Sequence, residues 1–188
     1  MAHDTPRYVE VGVPLVTSKN LREGTLNLTD VKLISPKDHE EISRRSLVEK
    51  GDVLFAMIGT IGNPVVVKGE PYFSIKNVAL FKYYSPMDCS ADYLRYSLHH
   101  FSTEMADRAA GGLQPFVSLK FLRDFCLPLP PLAEQHRIVA KVHELMALCD
   151  GLEAGLSIAT TTRRQLLEAT LQEGLSGRGS LHEGSYEN

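Results

Sequence analysis

Seven histidines and three cysteines are the side chains of this 188-residue sequence best suited to metal binding or covalent chemistry. Their spacing assembles no site. His136 and His143 would share one face of a helix, but no third ligand stands near them, and a solvated surface is the plainer reading. Cys126 and Cys149 lack an adjacent base that would make a nucleophile of either thiol, so core packing is expected for both. Cys89 completes an odd, widely spaced set, which argues for reduced thiols and a cytoplasmic setting rather than a disulfide framework or a zinc site. Gly59-Thr60-Ile61-Gly62 follows an apolar run as a phosphate-cradling loop would. The GxGxxG and GxxxxGK[ST] spacings are absent, however, and a tight turn is expected instead. No catalytic residue, no metal and no cofactor is expected.

The elements that would carry these residues fall into two regimes, joined at Leu127-Pro128-Leu129-Pro130-Pro131-Leu132-Ala133-Glu134-Gln135. Before the prolines the pattern is strand-rich. Tyr8–Val16 alternates apolar and other residues, Leu26–Ile34 holds short strand-like pieces, and Val53–Ile58 is a continuous apolar run typical of a buried strand. Val65–Val67, Tyr72–Ser74 and Val78–Tyr84 follow between turns at Gly59–Pro64 and Lys68–Pro71. Ser35-Pro36 caps a short helix, and Ser90 opens a longer one with Tyr93, Leu94, Ser97, Leu98 and Phe101 on one face. Gly111-Gly112 would stop that helix, and Phe116–Phe125 reads as leading through one more strand-like piece. Without regular strand–helix alternation the fold class is α+β, not a doubly wound parallel sheet.

After the prolines the spacing turns helical. Pro131 suits a first-turn position, where a missing N–H costs little, and Glu134 suits the positive end of the helix dipole. Ile138, Val142, Leu145, Cys149, Leu152, Leu156, Ala159, Arg163, Leu166 and Thr170 recur at alternating steps of four and three, apolar except for Arg163 and Thr170. Such a seam marks a coiled coil and calls for a partner helix, from a second copy or from another protein. A helix from Leu132 to Leu171 would run about 60 Å. Gly151 and Gly155 would allow close helix approach or mark a bend. The expected organisation is a globular domain at 1–130, a spacer or dimerisation helix at 131–175, and a disordered Gly/Ser-rich tail at 176–188. No run of apolar residues is long enough for a membrane span, so no membrane partner is expected.

Charge divides along the same line. Residues 1–130 carry 15 Lys/Arg and 15 Asp/Glu, whereas 131–188 hold the whole net charge of −3. A dedicated nucleic-acid binder is more often basic, so any such surface would have to be a local face of a neutral head.

The proline segment resembles the sequence that ends a target-recognition domain in specificity subunits of type I restriction-modification systems, where "PLPPLxEQxxIV" opens a long spacer helix. Three earlier stretches are similar to that family in the same order. They are Pro14–Leu21, Leu47–Gly62 with its Gly51-Asp52-Val53-Leu54, and Gly111–Phe125. The match covers roughly residues 8–171. The proline–glutamine motif is specific; the others are individually weak.

The resemblance implies a sequence-specific reader of double-stranded DNA without catalysis of its own. It also implies docking to an adenine methyltransferase subunit and a restriction subunit, with each recognition domain taking half of a split target. With one domain and one helix, the chain is expected to be part of a longer subunit or to pair with its twin as a homodimer, which would read a palindromic site. On that reading Thr17, Ser18, Lys19 and Asn20 present donors to base edges and phosphates from a loop; a plain strand-linking turn is the alternative. Arg44, Arg45 and Lys68 suit phosphate contact or simple solvation. Lys76 and Asn77 could reach a groove, Gln114 could pair with adenine or serve helix-stop chemistry, and Ser118 and Lys120 are possible phosphate ligands. Ile138, Val142, Leu145, Cys149, Leu152, Leu156 and Leu166 would face the partner helix.

Two rivals remain. A fragment of an adenine methyltransferase would need an Asn/Asp-Pro-Pro-aromatic segment to hold the target amine, and none is present. A coiled-coil protein-interaction module is compatible with the neutral head, and salt-dependent binding to duplex DNA would separate it from a DNA reader.

Overall fold

The computed structural model describes residues 6–83, 88–109 and 115–179, the side chains as far as 173. The chain divides into two compact units, Met1–Val139 and Ala140–Asn188.

The first unit is built on two small sheets. Strands β1 (Tyr8–Val9), β5 (Lys32–Ile34), β2 (Val13–Val16) and β8 (Ser74–Ile75) lie side by side in that order. Strands β7 (Gly62–Val66), β6 (Val53–Ala56) and β9 (Val78–Phe81) form an antiparallel sheet of three, and β3 (Leu21–Arg22) with β4 (Thr25–Leu26) makes a separate hairpin. Glu23 and Gly24 both take positive φ, 50° and 72°, which gives the tight primed turn joining β3 to β4. Helices α1 (Pro36–Ser46), α2 (Ala91–Asp107) and α3 (Leu119–Asp124) complete the unit. Ser35, Ser90 and Ser118 cap them, each accepting from a backbone N–H three residues on.

Strand β6 is the centre of the fold because both its faces are apolar. Val53, Leu54, Phe55 and Ala56 are all fully buried. Alternate side chains point to opposite faces of a strand. Leu54 and Ala56 therefore join one cluster with Val16, Leu21, Val65, Phe73 and Val78. Val53 and Phe55 join another with Leu98, Met105, Val117 and Leu122. The first four residues of the apolar run Val53–Ile58 are buried for this reason, while Met57 and Ile58 lie beyond the strand and are half-buried.

Cys126 and Cys149, expected to pack in a core, are both exposed, and three expectations about secondary structure are corrected as well. Tyr8–Val16 is not one strand: β1 and β2 flank β5 on opposite sides, with Tyr8 and Val13 both registered against Ile34. The chain crosses from one side to the other at Gly12, where an added Cβ would lie 2.2 Å from the Ile34 carbonyl oxygen. Gly12→Ala should therefore cost roughly 2–3 kcal/mol through overpacking against backbone, read as a lowered urea midpoint with an unchanged slope. Second, the segment ending at Phe125 carries no strand. Ser118 caps the short helix α3 there, and Phe116 contributes only an isolated bridge to Ile58. Third, Gly62-Asn63-Pro64, expected as a turn, belongs to β7.

The second unit is helix. Helix α4 runs from Leu132 to Gly179, roughly 70 Å at 1.5 Å per residue. It passes through Gly151 and Gly155 without interruption and includes 176–179, which the composition assigned to the tail. The remainder of that tail lies outside the described residues. Leu145, Leu152, Leu156 and Leu166 on the four–three row are exposed, as are Met146, Leu148, Ile158, Leu167 and Leu171 off it. The apolar surface is thus wider than a single seam.

The division between the units falls within α4 rather than at the prolines, because the helix's first turns are fastened to the head. Gln135 is completely buried. Its carbonyl oxygen accepts from Ser90 N–H at 2.8 Å, and its amide donates to the Pro130 and Asp88 carbonyls at 2.8 and 3.0 Å. Tyr93 donates its hydroxyl to the Pro128 carbonyl at 2.8 Å. Pro131 stands just before the helix, its carbonyl accepting from Glu134 and Gln135 N–H, so it acts as the cap and not as a first-turn residue. The proline–glutamine motif is a fastening: the prolines keep free carbonyls for Gln135 and Tyr93 to bind.

Candidate nucleic-acid interface

Strands β2 and β8 run parallel, with Leu15 opposite Ser74 and Val16 opposite Ile75. Segments leaving two parallel strands emerge at the same end, so the loop at Thr17–Asn20 and the link Lys76-Asn77 become neighbours. Pairing of Ala56 with Val78 brings the end of β6, and the turn after it, to the same place. The three segments meet at the carbonyl of Asn77, which accepts from Ser18 Oγ at 3.0 Å and from Met57 N–H at 3.3 Å.

Around this junction lies a groove of about 800 Å³. Its lining includes the loop at Thr17–Asn20 with Arg22, Asn27 and Thr29, the turn residues Gly59 and Thr60, Asn77, and Tyr8 and Lys32 of the neighbouring strands. Among the described residues of this lining, Lys19, Arg22 and Lys32 are exposed cations and Asp30 is the single acid. Lys32 Nζ sits 4.3 Å above the Tyr8 ring, which holds the ammonium in place by cation–π attraction. A head with no net charge thus concentrates positive charge along one groove, whose remaining polar groups are amides and hydroxyls.

The expected DNA-contacting residues fare unequally. Lys19 and Asn77 are exposed in the groove. Ser18 lines it but spends its hydroxyl proton on Asn77. Asn20 is buried and committed: its oxygen accepts from the Thr17 amide and hydroxyl at 2.9 and 3.0 Å, and its amide donates to the Asn27 and Asp30 carbonyls at 3.1 and 3.2 Å. Asn20 and Thr17 thus hold the loop together through their side chains. Arg44 and Arg45 occupy the last turn of α1, where they complement the helix dipole, and Lys68 sits in the turn after β7; none of them lines the groove. Lys76 is half-buried and outside the lining, its N–H donated to the Val16 carbonyl at 2.9 Å. Ser118 is the cap of α3 and Lys120 lies in its first turn, both away from the groove lining. Gln114 lies outside the described residues.

Sequence reasoning missed Arg22, Lys32, Tyr8, Asn27, Thr29 and Thr60. In the sequence Thr60 reads only as part of the Gly59–Gly62 turn, and the others stand in short connections or on two- or three-residue strands with no motif of their own. The signal that unites them is the register of β1 on β5 and of β2 on β8, which no local pattern encodes.

Comparison with known proteins places the chain. Residues 12–160 match the family model of the type I restriction modification DNA specificity domain, well over half of the sequence. The chain belongs to this family. It is a family of specificity components, not of catalytic ones. The chain is 26% identical over 178 residues to the EcoBI specificity subunit of Escherichia coli, covering 90% of itself and 36% of that subunit. It is 26% identical over 168 residues to the EcoAI specificity subunit of the same organism, covering 86% of itself and 28% of that subunit. Among solved structures, the HsdS subunit from Thermoanaerobacter tengcongensis superposes with a TM-score of 0.58 at 23% identity, over 82% of this chain and 35% of that one. A chain from a structure concerned with complex assembly of the type I R-M system gives 0.64 at 20% identity, over 92% and 40%. At these identities the likeness shows the fold, which is the expected α+β head followed by a long helix. The chain spans about a third of the length of the specificity subunits it matches. Among the described residues no helix is long and apolar enough to cross a membrane.

Proposed function

We propose that the head recognises one part of a double-stranded DNA target within the specificity component of a type I restriction-modification system. In that role it positions an adenine methyltransferase subunit and a restriction subunit that carry out the chemistry in the cytoplasm. The observation that carries this reading is the groove lined by Lys19, Arg22 and Lys32 on a head of zero net charge. Cations hold phosphates without regard to sequence, while neighbouring amides and hydroxyls can address base edges. The exposed leucines of α4 support the second half of the reading. Leu145, Leu152, Leu156 and Leu166 would lie in a seam with another helix, either from a second recognition domain or from a twin chain, setting the distance between two half-sites.

Affinity for duplex DNA should fall steeply with salt, each neutralised phosphate adding about 0.9 to the slope of log K against log salt. Replacing Lys19, Arg22 and Lys32 together by alanine should reduce that slope by roughly 2–3. Fluorescence anisotropy over a series of salt concentrations measures both quantities. Equal slopes for the wild-type and triple-variant chains would remove the groove from the interface. A wild-type chain with no preference among duplexes, alone or with its methyltransferase subunit, would sink the recognition reading altogether. Light scattering on the full chain tests the seam, since an ordered monomer would speak against pairing through the long helix.

A further inference from the structure

We propose that Asn77 reads a base pair of the target, with a preference for adenine; this rests on the groove being the DNA-facing surface. Asn77 differs from the other polar residues of the groove in having its backbone fixed on both sides while its side chain is uncommitted. The preceding N–H, that of Lys76, is donated to the Val16 carbonyl at 2.9 Å. Its own carbonyl takes both Ser18 Oγ and Met57 N–H. Its φ of 59° lies in the left-handed region, which asparagine tolerates better than other side chains bearing a Cβ. Three segments from two sheets thus converge to hold one residue in an uncommon conformation, and that residue's amide is exposed in the groove. Among the described residues the amide makes no hydrogen bond, in contrast with Asn20, whose amide is used up inside the fold.

A carboxamide offers one acceptor and two donors in a plane, the complement of the adenine N6 and N7 edge in the major groove. Rigid presentation matters here, because a reader must be ordered before binding if a wrong base is to be penalised. Lys19, Arg22 and Lys32 would hold the phosphates on either side. Their contribution as phosphate ligands is uniform across sequences, so discrimination has to come from groups that address base edges, and the Asn77 carboxamide is one of these.

Selection of duplexes from a random library by the full chain with its methyltransferase subunit, followed by sequencing, provides the test. N77G keeps the left-handed backbone without strain and removes the amide. It should retain the wild-type salt slope yet lose preference at a single position, by roughly tenfold to a hundredfold. N77D keeps the shape but turns the amide donor into an acceptor, and should shift that position toward cytosine. If N77G selects the wild-type consensus with undiminished strength everywhere, the inference is wrong while the groove reading stands. A folded N77G that loses affinity for all sequences alike would also overturn it, by showing a merely structural contact. Should N77G not fold, as judged by circular dichroism, N77D decides: an unchanged consensus overturns the inference and a shifted one upholds it. A wild-type chain that enriches nothing would bring down the function and the inference together.

Discussion

Substituting Gln135 by leucine should lower the unfolding free energy by about 3–4 kcal/mol, although the new side chain is apolar and of similar size. Gln135 itself is fully buried, while its partners lie on half-buried Ser90 and Pro130 and on exposed Asp88, so water can reach only part of what is lost. Ser90 N–H loses its acceptor, and the Asp88 and Pro130 carbonyls lose their donor. Unmet buried groups cost about 1–3 kcal/mol each, and the apolar gain of leucine offsets only part of that. Chemical denaturation followed by circular dichroism measures the change; a loss below about 1 kcal/mol would mean that the hydrogen bonds are not what fastens the helix.

Gln135→Glu makes a sharper test, because the outcome depends on pH. One carboxyl oxygen can still accept from Ser90 N–H, but the other would face the Asp88 and Pro130 carbonyls, where only a protonated acid can donate. Burial beside two carbonyl oxygens raises the folded-state pKa of this glutamate above its unfolded value of about 4.3. The folded chain then holds a proton that the unfolded chain has released. Stability relative to wild type should be best preserved below pH ~4 and should fall as pH rises from there through the raised pKa. A pH-independent deficit would contradict the arrangement of donors and acceptors at the joint.

Asp52→Ala should be comparably severe, at about 3–5 kcal/mol. Asp52 is buried at the entrance to β6, and its carboxylate accepts from Glu49 N–H at 2.8 Å, Tyr83 N–H at 3.0 Å and Lys82 Nζ at 2.8 Å. Alanine would strand two amides and leave Lys82, among the described residues, with Glu49 and the Leu47 carbonyl as partners. Asp52→Asn should cost less, since one amide oxygen still accepts, but its NH2 then confronts the ammonium. Desolvation pulls the Lys82 pKa down; hydrogen bonds and attraction to Asp52 and Glu49 outweigh it and leave the pKa raised from 10.5. The stabilisation from this cation is therefore complete below pH 10.5 and disappears only as pH rises through the raised value. Urea midpoints for Asp52→Ala, Lys82→Ala and the double variant should be less than additive, because the residues share one network. Additive losses would show that the pair is not coupled.

These two residues also show how much of the chain was legible in advance. The Gly-Asp before Val53 and the Glu-Gln after the prolines stood out as motifs, and the resemblance they carried led to the right family. Neither motif disclosed its own physics. Asp52 meets Lys82 and Tyr83 across some thirty residues, and Gln135 meets Asp88 and Ser90 across more than forty. Long-range satisfaction of buried polar groups depends on where the chain returns, and the spacing of residue types carries no information about that.

Local chemistry did determine a good deal. Serine caps placed the helix starts at Ser35 and Ser90, the apolar run Val53–Ile58 marked the central strand that occupies its first four residues, and the sustained four–three spacing marked the long helix. Each is a property of a few consecutive residues, so sequence alone could specify it. Tertiary structure decided which polar residues face a groove. Asn20 and Asn77 are the same amino acid in neighbouring loops, yet one amide is consumed by the Thr17 and Asn27 backbone while the other is exposed. Parallel pairing of β2 with β8 set that difference, by bringing together segments nearly sixty residues apart. A register between distant strands is fixed by the packing of the whole core, and for that reason the fold was readable from the sequence while the groove was not.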